Sequence, residues 1–254
     1  MKIPNMRLYL VRLNIFALLV CGAFYIHGFT IQPISQSFQP SGPESSQVFL
    51  LQNPGERTVA VELRMLTREL QPDGSEVRNP ADNEFSIFPQ RVILEPDERR
   101  TIRVRWLGRE NPEIELSYRL LAEQLPVDFD EQDSSDGGVI NLMFRYLAAV
   151  YITPEGAEPE IRISLDEEPR GDGTEIPDKP VVWLRMDNTG SRHRILSGLE
   201  ILLRLENGEE LRLGPESLEG LANHNLTAGS SRLYRVSLPA MTSGVQDVDF
   251  RLSD

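Results

Sequence analysis

Past residue 28 the chain holds only two imidazoles, His193 and His224. Neither has a carboxylate or a second histidine at metal-ligand spacing, so both read as surface histidines. The acidic run "DFDEQDSSDGG" suggests calcium, but Asp128, Asp130 and Gln132 do not fit an EF-hand, and its obligatory sixth-position glycine is Asp133. Asp128 and Asp130 as an acid–base pair fare no better, because nothing apolar surrounds them to separate their pKa values. No Gly-x-Ser-x-Gly elbow and no phosphate-cradling glycine loop occurs. The sequence therefore predicts a protein that is not an enzyme, with no catalytic residues, no cofactor and no metal. The remaining reactive chemistry is arginine. Lys2 and Lys179 are the only lysines, so nearly all positive charge is a planar fork that can grip a carboxylate through two parallel hydrogen bonds.

The elements that must position those groups come next. The 254 residues suit one large domain or two ordinary ones, and 40% hydrophobic content is enough for a packed core. A net charge of −13 argues against nucleic acid and anionic membrane surfaces as partners. Residues 1–28 read as a signal peptide: Lys2, Arg7 and Arg12 precede the short apolar run "NIFALLVCGAF". Cleavage after Ala23 or after Gly28 both fit. The segment holds three bases, no acid and the single cysteine, so the mature chain carries −16 and no thiol. An exported chain without disulfides must be held by its core.

Beyond residue 28 short alternating runs recur, cut by Gly, Pro and Asp. "FTIQPISQSF", "SQVFLLQNPG", "TVAVELRM", "FSIFPQRVILEP", "RRTIRVRW", "ELSYRLLAEQLP" and "GGVINLMFRYLAAVYITP" predict about seven strands before Pro154, with a turn at Asp73-Gly74. Pro89 marks its run as an edge or bulged strand. "ITPEGAEPE" reads as a junction. Beyond it "EIRISL", "PVVWLRMDNTG", "LEILLRLENGEELRLG" and "SRLYRVSL" are strand-like, and Asn207-Gly208 between alternating leucines is the strongest hairpin signal. The patterning predicts an all-β chain of two antiparallel β-sandwich domains, 29–154 and 155–254.

The stretch Gly137–Pro154 departs from ordinary patterning. A strand with one wet face alternates apolar with polar. Here Ile140, Leu142, Phe144 and Tyr146 fall on one face, and Val139, Met143 and Leu147 make the other mostly apolar as well. This stretch, with "FSIFPQRVILEPDERRTIRVRWLG" and "ELSYRLLAEQLPV" before it, resembles the first domain of periplasmic pilus-assembly (fimbrial) chaperones of the chaperone–usher pathway. The likeness is strongest over 85–154 and is nearest the divergent, archaic branch. Beyond 130 it is architectural.

That resemblance implies that both β-sandwich domains are immunoglobulin-like, and it implies a function. Such chaperones lend a strand to a pilus subunit that lacks its own last strand, and deliver the subunit to an outer-membrane usher. It implies a periplasmic location, with pilus subunits and the usher as partners. One face of Ile140–Leu147 is then expected in the chaperone's own core, and the other, carrying Ile140, Leu142, Phe144 and Tyr146, in the subunit's groove. The best-known members hold the subunit's C-terminal carboxylate with an arginine and a lysine. The matching positions here fall near Ser35 and at Ala149. Arg145, Arg119 and Arg105 are substitutes, and Arg145 is favoured because it lies in the lending strand. The rival reading is a pilus subunit or another exported immunoglobulin-like binding protein. A subunit would lack a strand that this first domain has.

Overall fold

The computed structural model describes residues 28–127, 142–167, 180–218, 221, 223–239 and 244–253. The proposed signal peptide up to residue 27, Ile140, the acidic run 128–136 and Lys179 lie outside the described residues.

The first sandwich packs two sheets. One contains β1 (Thr30–Gln32), β3 (Ser46–Gln52), β9 (Arg99–Trp106) and β7 (Phe85–Phe88), in that order. The other runs β2 (Ser35–Phe38), β11 (Arg145–Ile152), β10 (Leu116–Gln124), β4 (Val59–Thr67), β8 (Arg91–Leu94). A small hairpin, β5 (Glu69–Leu70) with β6 (Glu76–Val77), projects beyond β4. The second sandwich has one sheet of β12 (Ile161–Asp166), β13 (Val181–Asn188) and β18 (Ser231–Ser237). The other contains β16 (Glu210–Leu213), β15 (Glu200–Leu205) and β19 (Val245–Arg251), and the short pair β14 (Arg194–Ile195) and β17 (Asn225–Leu226) completes the unit. Each unit has its own apolar cluster, built on Phe49, Leu63, Ile102, Leu120 and Val150 in the first and on Leu184, Ile201, Leu203 and Leu226 in the second. The two-sandwich, all-β architecture is as the patterning predicts.

Two expected strands are divided. "FTIQPISQSF" gives β1 in one sheet and β2 in the other, with Pro33 between them. "FSIFPQRVILEP" gives β7 and β8, again in different sheets, with Pro89 between them. Proline has no N–H for a ladder, so a run crossing it readily leaves one sheet for the other. The Asn207-Gly208 turn closes β15 on β16, with Gly208 at φ 84°, the left-handed region that glycine enters without strain.

The two units also share a corner that no sequence repeat announces. Asn53 follows β3, and its amide donates to the carbonyls of Arg57, Leu94 and Glu95 at 2.8–3.1 Å, while its Oδ1 accepts from Gly55 N–H. Asn188 ends β13, donates to Arg192 and Leu226 carbonyls, and accepts from Glu160 and Gly190 N–H. Both asparagines are 1% exposed. An Asn-x-Gly at the strand end thus stitches loop to sheet in each unit. Replacing Asn53 or Asn188 with Ala leaves several buried backbone groups unpaired. We expect a loss of about 2–3 kcal/mol for either, seen as a lower midpoint in urea unfolding with unchanged slope.

Candidate strand-lending edge and arginine cluster

Strand β11 is paired along its whole length on one side by β10, from Arg145↔Glu123 to Ile152↔Leu116. On the other side β2 covers only Ala149 to Ile152, in parallel. The edge from Leu142 to Ala148 therefore has no strand neighbour among the described residues. Backbone direction follows from two bonds. Phe144 O accepts from Gln124 N, so even-numbered residues address β10. Ala149 N donates to Ile34 O, so odd-numbered residues address the outer edge. The amides of Arg145 and Leu147 thus point out of the sheet plane's open side, a ready template for another chain.

Side chains alternate along the same strand. Ala148, Val150 and Ile152 are fully buried in the first core, and Phe144 and Tyr146 pack against it. Tyr146 meets Phe29 edge-on with ring centroids 5.1 Å apart. Phe144 lies against Gly28, where a Cβ would collide with its ring. This corrects the expected division of faces. Phe144 and Tyr146 are not opposite the core-facing side; they continue it. The row Leu142, Phe144, Tyr146 is the core row running out past the end of the sandwich. Its first described member, Leu142, is 51% exposed. Ile140, the next position in the row, lies outside the described residues.

The other face of β11 looks toward the second unit. Ala149 sits in register with Ser35 on β2 and with Arg119 on β10. Ser35 and Ala149, the positions matched to the absent arginine–lysine pair, are therefore direct neighbours, and the residue beside them is Arg119. Arg145, by contrast, is exposed and already engaged with Glu123, its cross-strand partner, through Nε at 2.8 Å and through Nη2. That hydrogen bond holds the Glu123 carboxyl below its usual range. Arg105 is on the other sheet, lining a groove with Arg103 and Phe88. Of the three arginines, Arg119 stands in register with Ala149.

Arg119 belongs to a cluster that no sequence pattern announces. Glu76, on the β5–β6 hairpin, accepts from Arg68 Nε at 2.7 Å, from Arg119 Nε at 3.2 Å and Nη2 at 2.5 Å, and from Arg78 Nε at 3.0 Å. Arg68 also donates to the Tyr151 hydroxyl at 3.1 Å. Burial pushes the Glu76 carboxyl up, but the Arg119 hydrogen bond and the Arg68 and Arg119 charges outweigh it and hold it at about 2. Three guanidinium groups surround one carboxylate, a local surplus of positive charge in a chain of net −13. The folded pKa lies below the ordinary 4.5, so the stabilisation is complete above about pH 4.5 and is lost as pH falls toward 2. We expect Glu76→Gln to flatten the acid limb of the stability–pH curve by about 2–3 kcal/mol, measured by urea unfolding between pH 2.5 and 7.

The two units meet around Tyr151. His193 stacks on its ring at 4.0 Å, and Asn225 Nδ2 donates to its hydroxyl at 2.6 Å. His193 is not a surface histidine. Its Nδ1 lies 2.6 Å from Oε1 of Glu115, whose side chain is fully buried and also accepts from Thr153 Oγ1. The pair is invisible in sequence because 78 residues separate its members. Among the described residues no group of three or more His, Cys, Asp or Glu can hold a metal, and no helix is long and apolar enough to cross a membrane.

No family model matches the chain, and no curated protein matches it. Solved structures do. A chain of the CsuC–CsuE chaperone–tip adhesion subunit pre-assembly complex, from the archaic chaperone-usher Csu pili of Acinetobacter baumannii, superposes with TM-score 0.58 at 16% identity, over 88% of this chain and 97% of that one. The class 5 fimbriae chaperone CfaA gives 0.53 at 14%, over 89% and 99%. The complex of the Salmonella enterica SafA pilin with the SafB chaperone gives 0.53 at 12%, over 91% and 99%. At these identities the likeness establishes the two-sandwich fold.

Proposed function

We propose that this protein is a periplasmic, non-enzymatic chaperone for pilus subunits, which lends β11 to an incomplete subunit and delivers it to an outer-membrane usher. The observation that carries this reading is the edge of β11, where backbone with no strand neighbour among the described residues and a row of apolar side chains leave the sandwich together. Similar folds occur in chaperone–subunit complexes, which supports it. A leader within residues 1–28 fits export, and division of the units at Pro154 fits the two separate cores.

The reading also gives the ligand an orientation. A subunit strand pairing with the vacant edge of β11 must stop where β2 begins, at Ser35. If its last residue ends there, it runs parallel to β11, and its terminal carboxylate arrives beside Ala149 and Arg119. Partner-binding positions are then Leu142, at the free end of the row, and Ile140, two residues before it in sequence, with Arg119 rather than Arg145 at the carboxylate, while Phe144 and Tyr146 stay packed on the chain's own first core. Each apolar side chain buried in the subunit's groove contributes roughly 1.5–3 kcal/mol gross, of which association consumes a large part. The test is co-purification of the mature protein from periplasm. A stoichiometric small β-rich subunit should accompany it, and recovery of the protein alone from cells assembling pili would count against the reading.

A further inference from the structure

We propose that Glu76 is a resident carboxylate that occupies Arg119 in the free protein and must yield it to the terminal carboxylate of the bound strand. The inference rests on the strand-lending reading above and adds to it a residue that sets affinity. Arg119 points its Nε and Nη2 together at Glu76, so the side-on fork that best matches a carboxylate is already filled. Its backbone is in register with Ala149 and Ser35, yet its guanidinium is drawn the other way, to the hairpin beyond β4. Arg68 and Arg78 remain on Glu76 at 2.7 and 2.9 Å when Arg119 leaves, so the exchange strands no buried charge. A swap of one carboxylate for another on the same fork conserves the count of charge-assisted hydrogen bonds.

The hairpin that carries Glu76 is fixed from the far side. Leu233 N donates to Pro72 O at 2.8 Å, and Leu70 packs on the second core. Arg232, which lies 4.9 Å over the Tyr234 ring, fills the space where a Cβ on Gly74 would sit, and Gly74 is at φ 91°. Glu76 is thus held in place by the second unit while it competes for an arginine of the first.

The probe is the peptide acetyl-Thr-Val-Thr-Val-Thr-Val with a free C-terminus, and the same peptide as its C-terminal amide. Calorimetric affinities would be measured on the mature wild type and on Glu76→Gln, Glu76→Asp and Arg119→Ala. A competitor that occupies most of the site lowers apparent affinity by the occupied fraction. Removing it in Glu76→Gln should tighten the acid peptide by about tenfold and leave the amide unchanged. Glu76→Asp keeps the net charge but withdraws the carboxylate by one methylene, so it should also tighten the acid peptide, by a smaller factor. It covers the case in which Glu76→Gln fails to fold. If both variants bind the acid peptide equally to wild type or more weakly, Glu76 positions Arg119 instead of competing for it, and the proposal is overturned. If acid and amide bind alike to every protein, or neither binds any, the carboxylate reading beneath it fails as well.

Discussion

Leu142→Asp should abolish recovery of a bound subunit while leaving the protein folded. The side chain is half exposed at the free end of the core row, so a charge there costs the isolated protein little, within about 0.5 kcal/mol as for ordinary surface sites. In the complex the same position enters the subunit's groove, where an unpaired carboxylate faces a desolvation penalty of several kcal/mol. Tyr146→Asp makes the contrast. It lies two residue pairs further in, edge-on to Phe29 and packed on the first core, so it should lower stability by more than about 2 kcal/mol in the absence of any partner. Melting and co-purification measured together separate the two. If Leu142→Asp unfolds like Tyr146→Asp, the row does not leave the sandwich where the structure places its end.

Arg119→Ala should weaken subunit binding by roughly 1.5–3 kcal/mol, the range for a hydrogen bond to a charged group, which is about 10- to 150-fold. Part of the native site will reorganise, because Glu76 keeps Arg68 and Arg78. Arg145→Ala should change affinity little, since that arginine is solvent-exposed and serves Glu123, and exposed pairs contribute about 0–1 kcal/mol. A subunit with an amidated C-terminus should bind wild type less well and be indifferent to Arg119→Ala. Equal effects of the two substitutions, or an amidation effect that survives Arg119→Ala, would remove Arg119 from the role.

How much of this was legible in the sequence depends on the range of each contact. Strand periodicity, the Asp73-Gly74 and Asn207-Gly208 turns and the doubly apolar stretch ending at Pro154 are local, and the fold class follows from them. The parity of β11 was half legible. Alternation shows which residues share a face, but not which face meets the core, and that depends on Gly28 and Phe29, just before β1, meeting Phe144 and Tyr146. The arginine question was hardest. Position in the lending strand favoured Arg145, yet Glu123, 22 residues earlier, neutralises it, while Arg119 gains its place from register with Ala149. Glu76 looked like a hairpin residue and Glu115 like the start of a strand. Their partners, Arg119 and His193, lie 43 and 78 residues away, where no periodicity reaches.

The central claim, that β11 receives a partner strand on its vacant edge, is tested most directly by amide hydrogen exchange resolved at single residues in β11, in the free protein and in the complex with its co-purified subunit. Odd-numbered amides at Arg145 and Leu147 face the empty edge, while Tyr146 and Ala148 already pair with β10. The account predicts that Arg145 and Leu147 exchange fast in the free protein and slow by about 100-fold or more in the complex, with Tyr146 and Ala148 protected in both. Arg145 and Leu147 amides that stay fast in an intact complex would contradict it.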